Sequence, residues 1–592
     1  MARRAYYLRA EREAEKAFPP VTFRSLMAAL AVLLMQPLPA PAQEPAGAYL
    51  AAEHARAKGD FTAAAQYYAQ ALARDPDNPA MLENATIAYL ALGRLDEAVA
   101  LARKLEGEGM RSQVAQIALI ADEARREDWA AVLRRVAEQR GAGPLTDGMI
   151  AAWADLGRGD MTSALARIDA MAAEPGLRNF ALYHKALALA TVGDFEAADR
   201  VFAGEDGGPL QPTRSGIVAW AQILSQLGAQ ARALGILDEA FGPDPADPEI
   251  AALRARLEAG EAVPFGLIGN AREGVAEVFF SLARALIEEV DDEFVLIHAR
   301  AAEAVNPRHV EATVTVAQML ESLGQYSLAI EAYGRVPRDH PAFPGAELGR
   351  AEALRREGRV DAAAEVLAQL AQSYPELANV HVALGDLARE QEDWARAIDA
   401  YDRALALLEA RDNPQWFLHY VRGIAHERLD HWPEAEADFR RALELNPDHP
   451  QVLNYLGYTM VEKRVNLDEA LDMIERAVAA QPDSGYIVDS LGWVLYRLGR
   501  YEEAVIQMER AAELMPTDPV VNDHLGDVLW AVGRHTEARF QWKRALSLHQ
   551  TNPSDDLEAE RVRRKLDLGL DRVLEDEGAA PLRPVNAAVS GN

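Results

Sequence analysis

The chain has 592 residues, 49% of them hydrophobic, and a formal net charge of −31 at pH 7. This length exceeds a single hydrophobic core, and the apolar content excludes a wholly disordered protein. The acidic charge argues against nucleic acid or an anionic membrane as the main partner, because both require clustered cations. The chain contains no cysteine, which excludes disulfides, thiol catalysis and thiolate metal sites.

The N-terminal segment 1–42 is predicted to be a signal peptide. An apolar run, 26–35, precedes prolines and the sequence Ala40-Pro41-Ala42, a pattern typical of an export leader and its cleavage site. The run is too short to span a bilayer. We expect a mature chain in a bacterial periplasm, with the true start codon left open and no direct lipid anchor. Outer-membrane association would then need a partner, and the alternative is a cytoplasmic protein with an apolar leader helix.

Residues 43–247 are predicted to form a first lobe of about six helix–turn–helix units, some of them degenerate. The turn sequence Gly-Asp-Phe at 59–61 recurs at 193–195, each time followed by alanine at the same spacing. The pattern stops where glycine and proline cluster, since both residues interrupt helices. Residues 248–275 are therefore predicted to be an inter-lobe segment that packs between the lobes.

Residues 276–552 are predicted to form a second lobe of about eight more regular units. A proline closes most of these units: Pro307, Pro341, Pro375, Pro447, Pro482 and Pro516. Residues 553–574 are predicted to be a capping helix, because a stack of repeats needs a polar end. Residues 575–592 are predicted to be a disordered tail.

Two adjacent copies of one unit, 490–516 and 524–548, define the repeat. In each copy a Leu-Gly pair is followed by a Gly-Arg turn and two alanines, and the equivalent glycines, Gly492 and Gly526, are 34 residues apart. This period and pattern resemble the tetratricopeptide repeat (TPR). The resemblance implies an all-α superhelical solenoid with a concave groove. The glycine is expected where the two helices of a unit cross, because a larger side chain would separate them.

No motif in the sequence supports an enzyme. The sequence 269–274 has the spacing of a phosphate-binding loop, but Val275 and Ala276 follow where lysine and Ser/Thr are required. Carboxylates are predicted mainly to mark solvated helix faces. We expect a non-enzymatic protein with no catalytic residue, no cofactor and no metal site.

The family resemblance places the concave wall on the first helix of each unit. In the last four units, seven of the sixteen groove positions are aromatic, against 7% of the whole chain. Large rigid aromatic side chains dominate protein interfaces, so these positions predict a peptide- or partner-binding site. The predicted binding residues are Phe417, Tyr420, Asn454, Tyr458, Tyr486, Asp489, Trp493, Tyr496, Asp523, Asp527 and Trp530. The three aspartates suggest a ligand with a basic or free amino group. The alternative is that these side chains pack against neighbouring units or the capping helix.

The C-terminal half, from about Pro450 to Leu548, also resembles bacterial envelope repeat proteins. Some relatives that it resembles are outer-membrane adaptors that deliver substrates to a periplasmic protease. The resemblance implies an exported scaffold that holds other proteins or peptides for envelope assembly or regulated proteolysis, without binding nucleic acid. The alternative is a repeat subunit of a complex for cell-wall or polysaccharide synthesis and export.

Overall fold

The computed structural model describes residues 45–243, 245, 247–409, 415–554, 556–579 and 581–582. This part of the chain is helical and contains no strand, as the repeat pattern predicts. Among the described helices, none has the length and apolar character that crossing a bilayer requires. The predicted signal peptide, 1–42, and the last part of the predicted tail, 583–592, lie outside the described residues.

The described residues form thirty-one helices. In chain order they are α1 (Pro45–Ala57), α2 (Phe61–Leu72), α3 (Pro79–Ala91), α4 (Leu95–Gly107), α5 (Gln113–Arg125), α6 (Trp129–Ala137), α7 (Pro144–Gly157), α8 (Met161–Ala172), α9 (Arg178–Thr191), α10 (Phe195–Phe202), α11 (Arg214–Gln226), α12 (Gln230–Phe241), α13 (Pro248–Glu258), α14 (Ala271–Leu286), α15 (Asp292–Val305), α16 (Val310–Ser322), α17 (Tyr326–Tyr333), α18 (Phe343–Arg356), α19 (Val360–Ser373), α20 (Ala378–Glu390), α21 (Trp394–Glu409), α22 (Trp416–Arg428), α23 (Trp432–Leu445), α24 (Pro450–Lys463), α25 (Leu467–Ala480), α26 (Gly485–Arg497), α27 (Tyr501–Leu514), α28 (Pro519–Ala531), α29 (His535–Thr551), α30 (Ala559–Leu568) and α31 (Leu570–Asp576).

The glycine of each copied unit lies where its two helices cross, as predicted. Helix α26 packs against α27, and α28 packs against α29. A Cβ atom at Gly492 would lie 2.7 Å from the Met508 side chain, and one at Gly526 would lie 2.4 Å from the Trp542 ring. No carbon atom is tolerated at these distances, so only glycine permits the close crossing.

The Gly-Asp-Phe turns have a local explanation. Gly59 has a φ of 70°, a left-handed conformation that glycine adopts without strain. The side chain of Asp60 accepts a hydrogen bond from the backbone N–H of Ala63 at 2.9 Å, and Phe61 is buried. The turn therefore ends one helix, caps the next and anchors it in the core.

The described part of the chain falls into two compact units, one up to Tyr374 and one from Pro375. This division differs from the sequence prediction, which placed the lobe boundary in 248–275. The reason is that α14 packs against α7, α9 and α5, while α15 packs against α5 and α3. Helices α14 and α15, predicted to begin the second lobe, thus share a core with the first helices of preceding units.

The predicted inter-lobe segment continues the first unit's packing. Helix α13 packs against α12, and its Ile250, Leu253 and Leu257 form an apolar cluster with residues of α11 and α12. The glycine-containing sequence before α14 is a helix cap, since Asn270 accepts a hydrogen bond from the Glu273 N–H at 3.0 Å. It therefore resembles a phosphate loop in spacing alone.

The second unit ends in two short helices where one capping helix was predicted. Gly569, with a φ of 85°, separates α30 from α31. Helix α31 continues through Asp576, so the helical part extends beyond the predicted boundary at 575. Helix α30 packs against α29 and α31. The structure thus has two short helices, α30 and α31, in the region where the sequence predicts a single capping helix.

Candidate functional site

The predicted binding residues lie on α22, α24, α26 and α28, the first helices of the last four units. Seven of them are buried: Asn454, Asp489, Trp493, Tyr496, Asp523, Asp527 and Trp530. Three are partly exposed: Tyr420, Tyr458 and Tyr486. Phe417 remains 36% exposed. The structure therefore splits the predicted site into a covered part at α26 and α28 and an accessible part that begins at α22.

Trp493 joins neighbouring units. Its ring stacks on His524 of α28, with 4.2 Å between ring centroids, and on Tyr496 at 5.0 Å. Its Nε1 donates a hydrogen bond to Glu462 Oε1 of α24 at 3.0 Å. Asp489 lies 3.0 Å from His524 Nδ1. With the chain in this conformation, these side chains hold α24, α26 and α28 together and do not line an open groove.

The acidic pair Asp523 and Asp527 binds an amino group that belongs to this chain. Lys565 of α30 is fully buried, and its Nζ donates hydrogen bonds at 2.8 Å to both carboxylate oxygens of Asp523. The same Nζ lies 2.6 Å from Asp527 Oδ1. The chemistry predicted for an external ligand, an amine on an acidic site, is thus present within the molecule.

Trp530 is covered by the turn between α30 and α31. Its Nε1 donates a hydrogen bond to Asp571 Oδ2 at 2.8 Å, and a Cβ atom at Gly569 would lie 2.7 Å from its ring. The opposite side of Trp530 stacks on His535 at 4.0 Å. Burial of Trp530 therefore depends on the terminal helices.

The accessible part of the predicted site is a set of aromatic side chains on α22, α24 and α26. We call Trp416, Phe417, Tyr420, Tyr458 and Tyr486 the aromatic surface. The Trp416 ring lies 6.5 Å from both the Phe417 and the Tyr420 rings. All five side chains are partly or fully exposed. Among the described residues, this is where the predicted groove retains aromatic area for a partner.

Asn454 lies on α24, between the helices that carry most of the aromatic surface. Its side chain is 1% exposed, and its Oδ1 has no hydrogen-bond partner among the described residues. A buried carbonyl oxygen without a donor costs free energy, so such an atom calls for an explanation. The prediction that Asn454 contacts a partner stays a prediction, and this oxygen is the acceptor it would use.

The first unit contains a buried polar network that the sequence did not indicate. Tyr183 donates a hydrogen bond to Glu277 at 2.7 Å, and His309 Nε2 lies 3.1 Å from the other oxygen of Glu277. Burial by itself lowers the pKa of His309, but hydrogen bonds with Glu277 and Glu311 raise this pKa to about 9. Through its contact with Glu277, His309 links α9, α14 and α16.

A cavity of about 650 Å³ in the first unit is lined partly by arginines, including Arg300, Arg308 and Arg335. The Arg300 guanidinium is fixed in the wall of this cavity, because it donates hydrogen bonds to Ala91 O at 2.9 Å and to Glu303 at 2.8 Å. Arg335 also pairs with Glu303. The guanidinium groups of Arg300 and Arg335 are thus engaged in contacts within the cavity wall. These contacts suggest no catalytic arrangement.

Lys565 is the residue of the covered site that sequence reasoning missed. A signal was present: residues 561–565 read Arg-Val-Arg-Arg-Lys in a chain with a strongly negative charge. A basic run at the end of an acidic solenoid indicates a specific contact with carboxylates. Nothing in the one-dimensional pattern, however, says that the partner is a helix of the same chain.

The comparisons with known proteins agree with this architecture. Models of the tetratricopeptide repeat family match residues 55–121, 348–414, 416–449 and 463–519. These matches fall in both compact units and coincide with helix pairs of the structure. The chain is a tetratricopeptide repeat protein, and proteins of this class bind other proteins or peptides.

A curated TPR repeat-containing protein of Pseudomonas aeruginosa is 28% identical over 173 residues, which are 29% of this chain and 28% of the relative. The match thus spans less than a third of that relative's length. Similar solved structures include the Cut9–Hcn1 hetero-tetramer of the APC/C, with 13% identity, a TM-score of 0.36, and coverage of 89% of this chain and 97% of that chain. A TPR protein from Parabacteroides merdae has 16% identity, a TM-score of 0.35, and coverage of 44% and 98%. YrrB, described as a TPR protein with an unusual peptide-binding site, has 21% identity, a TM-score of 0.27, and coverage of 33% and 99%.

Proposed function

We propose that this chain is a scaffold that binds a protein or peptide partner through the aromatic surface. The observation that carries the proposal is the partial exposure of five aromatic side chains on the first helices of three consecutive units, with Phe417 the most exposed. Aromatic side chains contribute a large contact area at low entropic cost and dominate the binding energy of protein interfaces. Isolated exposed apolar residues need no explanation, but aromatic side chains repeated on the first helices of three consecutive units favour a binding site.

The polar groups near this surface fit an extended or helical peptide. The unpartnered Oδ1 of Asn454 is buried beneath this surface, so it can accept a hydrogen bond from a peptide N–H only if the side chains that cover it move. The phenolic oxygens of Tyr420, Tyr458 and Tyr486 offer further polar contacts beside apolar ring faces. A partner with apolar side chains and a free backbone donor is the one that this combination recognises best.

The partner is best sought by site-specific photocrosslinking in intact cells. A photoreactive residue at Phe417 is compared with one at Phe540, which is 64% exposed on α29 and lies outside the aromatic surface. We expect a partner captured at Phe417 and not at Phe540. Capture at Phe540 alone would overturn the proposed surface.

A quantitative test uses the captured partner. The Phe417→Ala substitution is expected to weaken binding by about tenfold or more, the range of an interface hot spot. The stability of the chain should change by no more than about 0.5 kcal/mol, because Phe417 is exposed. Phe540→Ala is the matched control and should leave affinity unchanged. Equal affinities for both variants would contradict the proposal.

We further propose that the chain is exported and acts in the cell envelope as an adaptor, without catalysis of its own. Support comes from the leader-like sequence before Gln43 and from the envelope resemblance of the C-terminal half. Fractionation of the native host, with sequencing of the mature N-terminus, tests export. A start near Gln43 in the periplasmic fraction is expected, and an unprocessed cytoplasmic chain would contradict it.

The identity of the crosslinked partner separates the two envelope roles. A protease or a secreted protein favours an adaptor in assembly or regulated proteolysis. Components of cell-wall or polysaccharide synthesis favour the alternative role as a subunit of such a complex. Turnover of a substrate by the purified chain alone would contradict the non-enzymatic proposal.

A further inference from the structure

We propose that Asp523, Asp527 and Trp542 form a binding pocket for the lysine ammonium group of a helical partner segment, and that α30 is its built-in competitor. We call these three residues the ammonium pocket. The inference deepens the proposed function and rests on it only in assuming that the ligand is a protein segment. It adds a second contact point, on α28 and α29, and the chemistry that this point recognises.

The ammonium pocket has the geometry of a preformed cation site. Asp523 and Asp527 are one helical turn apart on α28, so both carboxylates face the same point. Trp542 donates a hydrogen bond from Nε1 to Asp527 Oδ1 at 2.9 Å and thereby orients that carboxylate. The Lys565 Nζ lies 5.9 Å from the Trp542 ring centroid, within the range of a cation–π contact.

While the ammonium pocket is buried, its two carboxylates require a cation for stability. Two carboxylates one turn apart repel each other, and a buried charge without a partner is strongly destabilising. In the present conformation the Nζ of Lys565 lies within 2.8 Å of oxygens of both aspartates. A segment that displaces Lys565 must therefore supply an ammonium group in the same place, which selects a lysine and excludes a neutral or acidic side chain.

Helix α30 has few buried apolar side chains that would attach it permanently to the core. It has ten residues, six of them charged, and isolated helices of this length are marginal in water. Its buried side chains are Val562 and Lys565. The Leu566 side chain also packs against the apolar core of the second unit, and Arg539 donates a hydrogen bond to the Leu566 carbonyl. Its attachment therefore includes, besides the apolar contacts of Val562 and Leu566, the ionic contact that a competing lysine would replace.

The contacts of α30 also predict the ligand's sequence pattern. Arg561 precedes Lys565 by one turn and lies 3.7 Å from Asp527, while Val562 is 1% exposed between them. A competitor is expected to be a helix with two basic residues four positions apart and an aliphatic residue after the first. This pattern places both cations and the aliphatic side chain on one helix face.

The experiment uses a fluorescently labelled peptide of residues 557–576 as the probe, added to the full chain and followed by fluorescence anisotropy. The unsubstituted chain should bind it weakly, because α30 occupies the ammonium pocket. The Lys565→Met chain should bind it at least about tenfold more tightly, since its own α30 no longer supplies the cation. A peptide that itself carries Lys565→Met should not bind either chain. Lys543→Met, at an exposed lysine of α29, is the matched control and should behave like the unsubstituted chain.

A second variant, Val562→Ala, tests the proposal in case the Lys565→Met chain does not fold. Val562→Ala keeps every charge of the pocket and removes only apolar contact of α30, so it should also bind the peptide more tightly than the unsubstituted chain. Circular dichroism and the thermal transition check that both variants are folded. The proposal is overturned if the folded variants do not bind the peptide, or if they bind the Lys565→Met peptide equally well.

The outcome is distinguishable from a failure of the proposed function. Crosslinking at Phe417 tests the aromatic surface without reference to lysine. Partner capture at Phe417 with no lysine-dependent peptide binding would contradict the proposed ammonium pocket and still support the scaffold function. Lysine-dependent binding with no capture at Phe417 would remove the aromatic surface and leave the pocket.

Discussion

Both compact units cover the first helices of some of their repeats with another segment of their own chain, but they do so by different chemistry. In the first unit, α14 contributes fully buried apolar side chains such as Val275 and Phe279. In the second unit, α30 contributes a buried lysine that is bound by two aspartates. The buried side chains of α14 are thus mostly apolar, with Glu277 as the charged exception, whereas those of α30 are Val562 and the lysine of an ion pair.

The difference matters because the two kinds of contact have different net free energies. Burial of a phenylalanine side chain stabilises a fold by about 1.5–3 kcal/mol. A buried ion pair gains little net stability, because the cost of desolvating the charges offsets their attraction. Burial of apolar side chains therefore makes α14 and α15 permanent parts of the first unit's core. The proposed exchange of α30 for a segment with the same charge relies on the smaller net contribution of the ion pair.

The largest expected effect follows from truncation of a buried apolar side chain of α14. Phe279→Ala should lower the free energy of unfolding of the first unit by about 3–5 kcal/mol, because a fully buried aromatic ring leaves a cavity. Urea denaturation, followed by limited proteolysis with peptide mapping, measures the loss and locates it. The exposed Phe540→Ala is the control and should change stability by about 0.5 kcal/mol or less. A small effect of Phe279→Ala would mean that α14 is not part of the core.

A smaller effect is expected where α14 approaches the preceding helices most closely. A Cβ atom at Gly274 would lie 2.2 Å from the Trp153 ring, so Gly274→Ala should cost about 1–3 kcal/mol of unfolding free energy. Gly235→Ala, in α12, is the matched control because nothing lies within 4 Å of its Cβ position. There alanine should stabilise the helix by about 0.5–1 kcal/mol. Thermal denaturation of the two variants should shift in opposite directions.

The raised pKa of the buried His309 in the first unit predicts a pH dependence. The pKa of His309 is raised from 6.5 to about 9, so its contribution is complete below about pH 6.5 and is lost as the pH rises through about 9. In contrast, burial lowers the pKa of His184 to about 3, so its contribution is lost as the pH falls below about 6.5. Denaturation at pH 6.5 and pH 9.5 measures the first effect. His309→Gln should abolish the alkaline loss, while His54→Gln, at an exposed position, should retain it.

The smallest expected effect directly distinguishes the ionic attachment of α30 from the apolar attachment of α14. When α30 opens, salt screens the freed charges of Asp523 and Asp527, so the open form gains stability as ionic strength rises. Hydrogen exchange of α30 amides should therefore accelerate several-fold between about 0.01 M and about 1 M NaCl. Exchange in α14 should not accelerate. Equal responses of the two helices would show that their attachments do not differ in kind.

Much of the fold follows from local features of the sequence. The small residue at each helix crossing and the Gly-Asp-Phe turns are set within one unit, and the 34-residue period follows from a comparison of two neighbouring units. The same reasoning identified the helices that carry the aromatic surface. It did not separate Phe417, which is exposed, from Trp493, which is buried, because both occupy first-helix positions of the same kind. Trp493 is buried by its contacts with Glu462 and His524 of the neighbouring units, which no pattern within one unit records.

The sequence by itself determined the repeat, the helix pairs and the acidic character of the positions that bind an amino group, because periodicity and residue type act over one or two turns. Only the tertiary structure decided that α14 and α15 belong with the first unit and that Lys565 occupies the site of Asp523 and Asp527. Those contacts join residues about forty to more than one hundred positions apart, as between Asp523 and Lys565 or between α7 and α14. The free energy of such contacts depends on packing in three dimensions, and no pattern within one repeat records it.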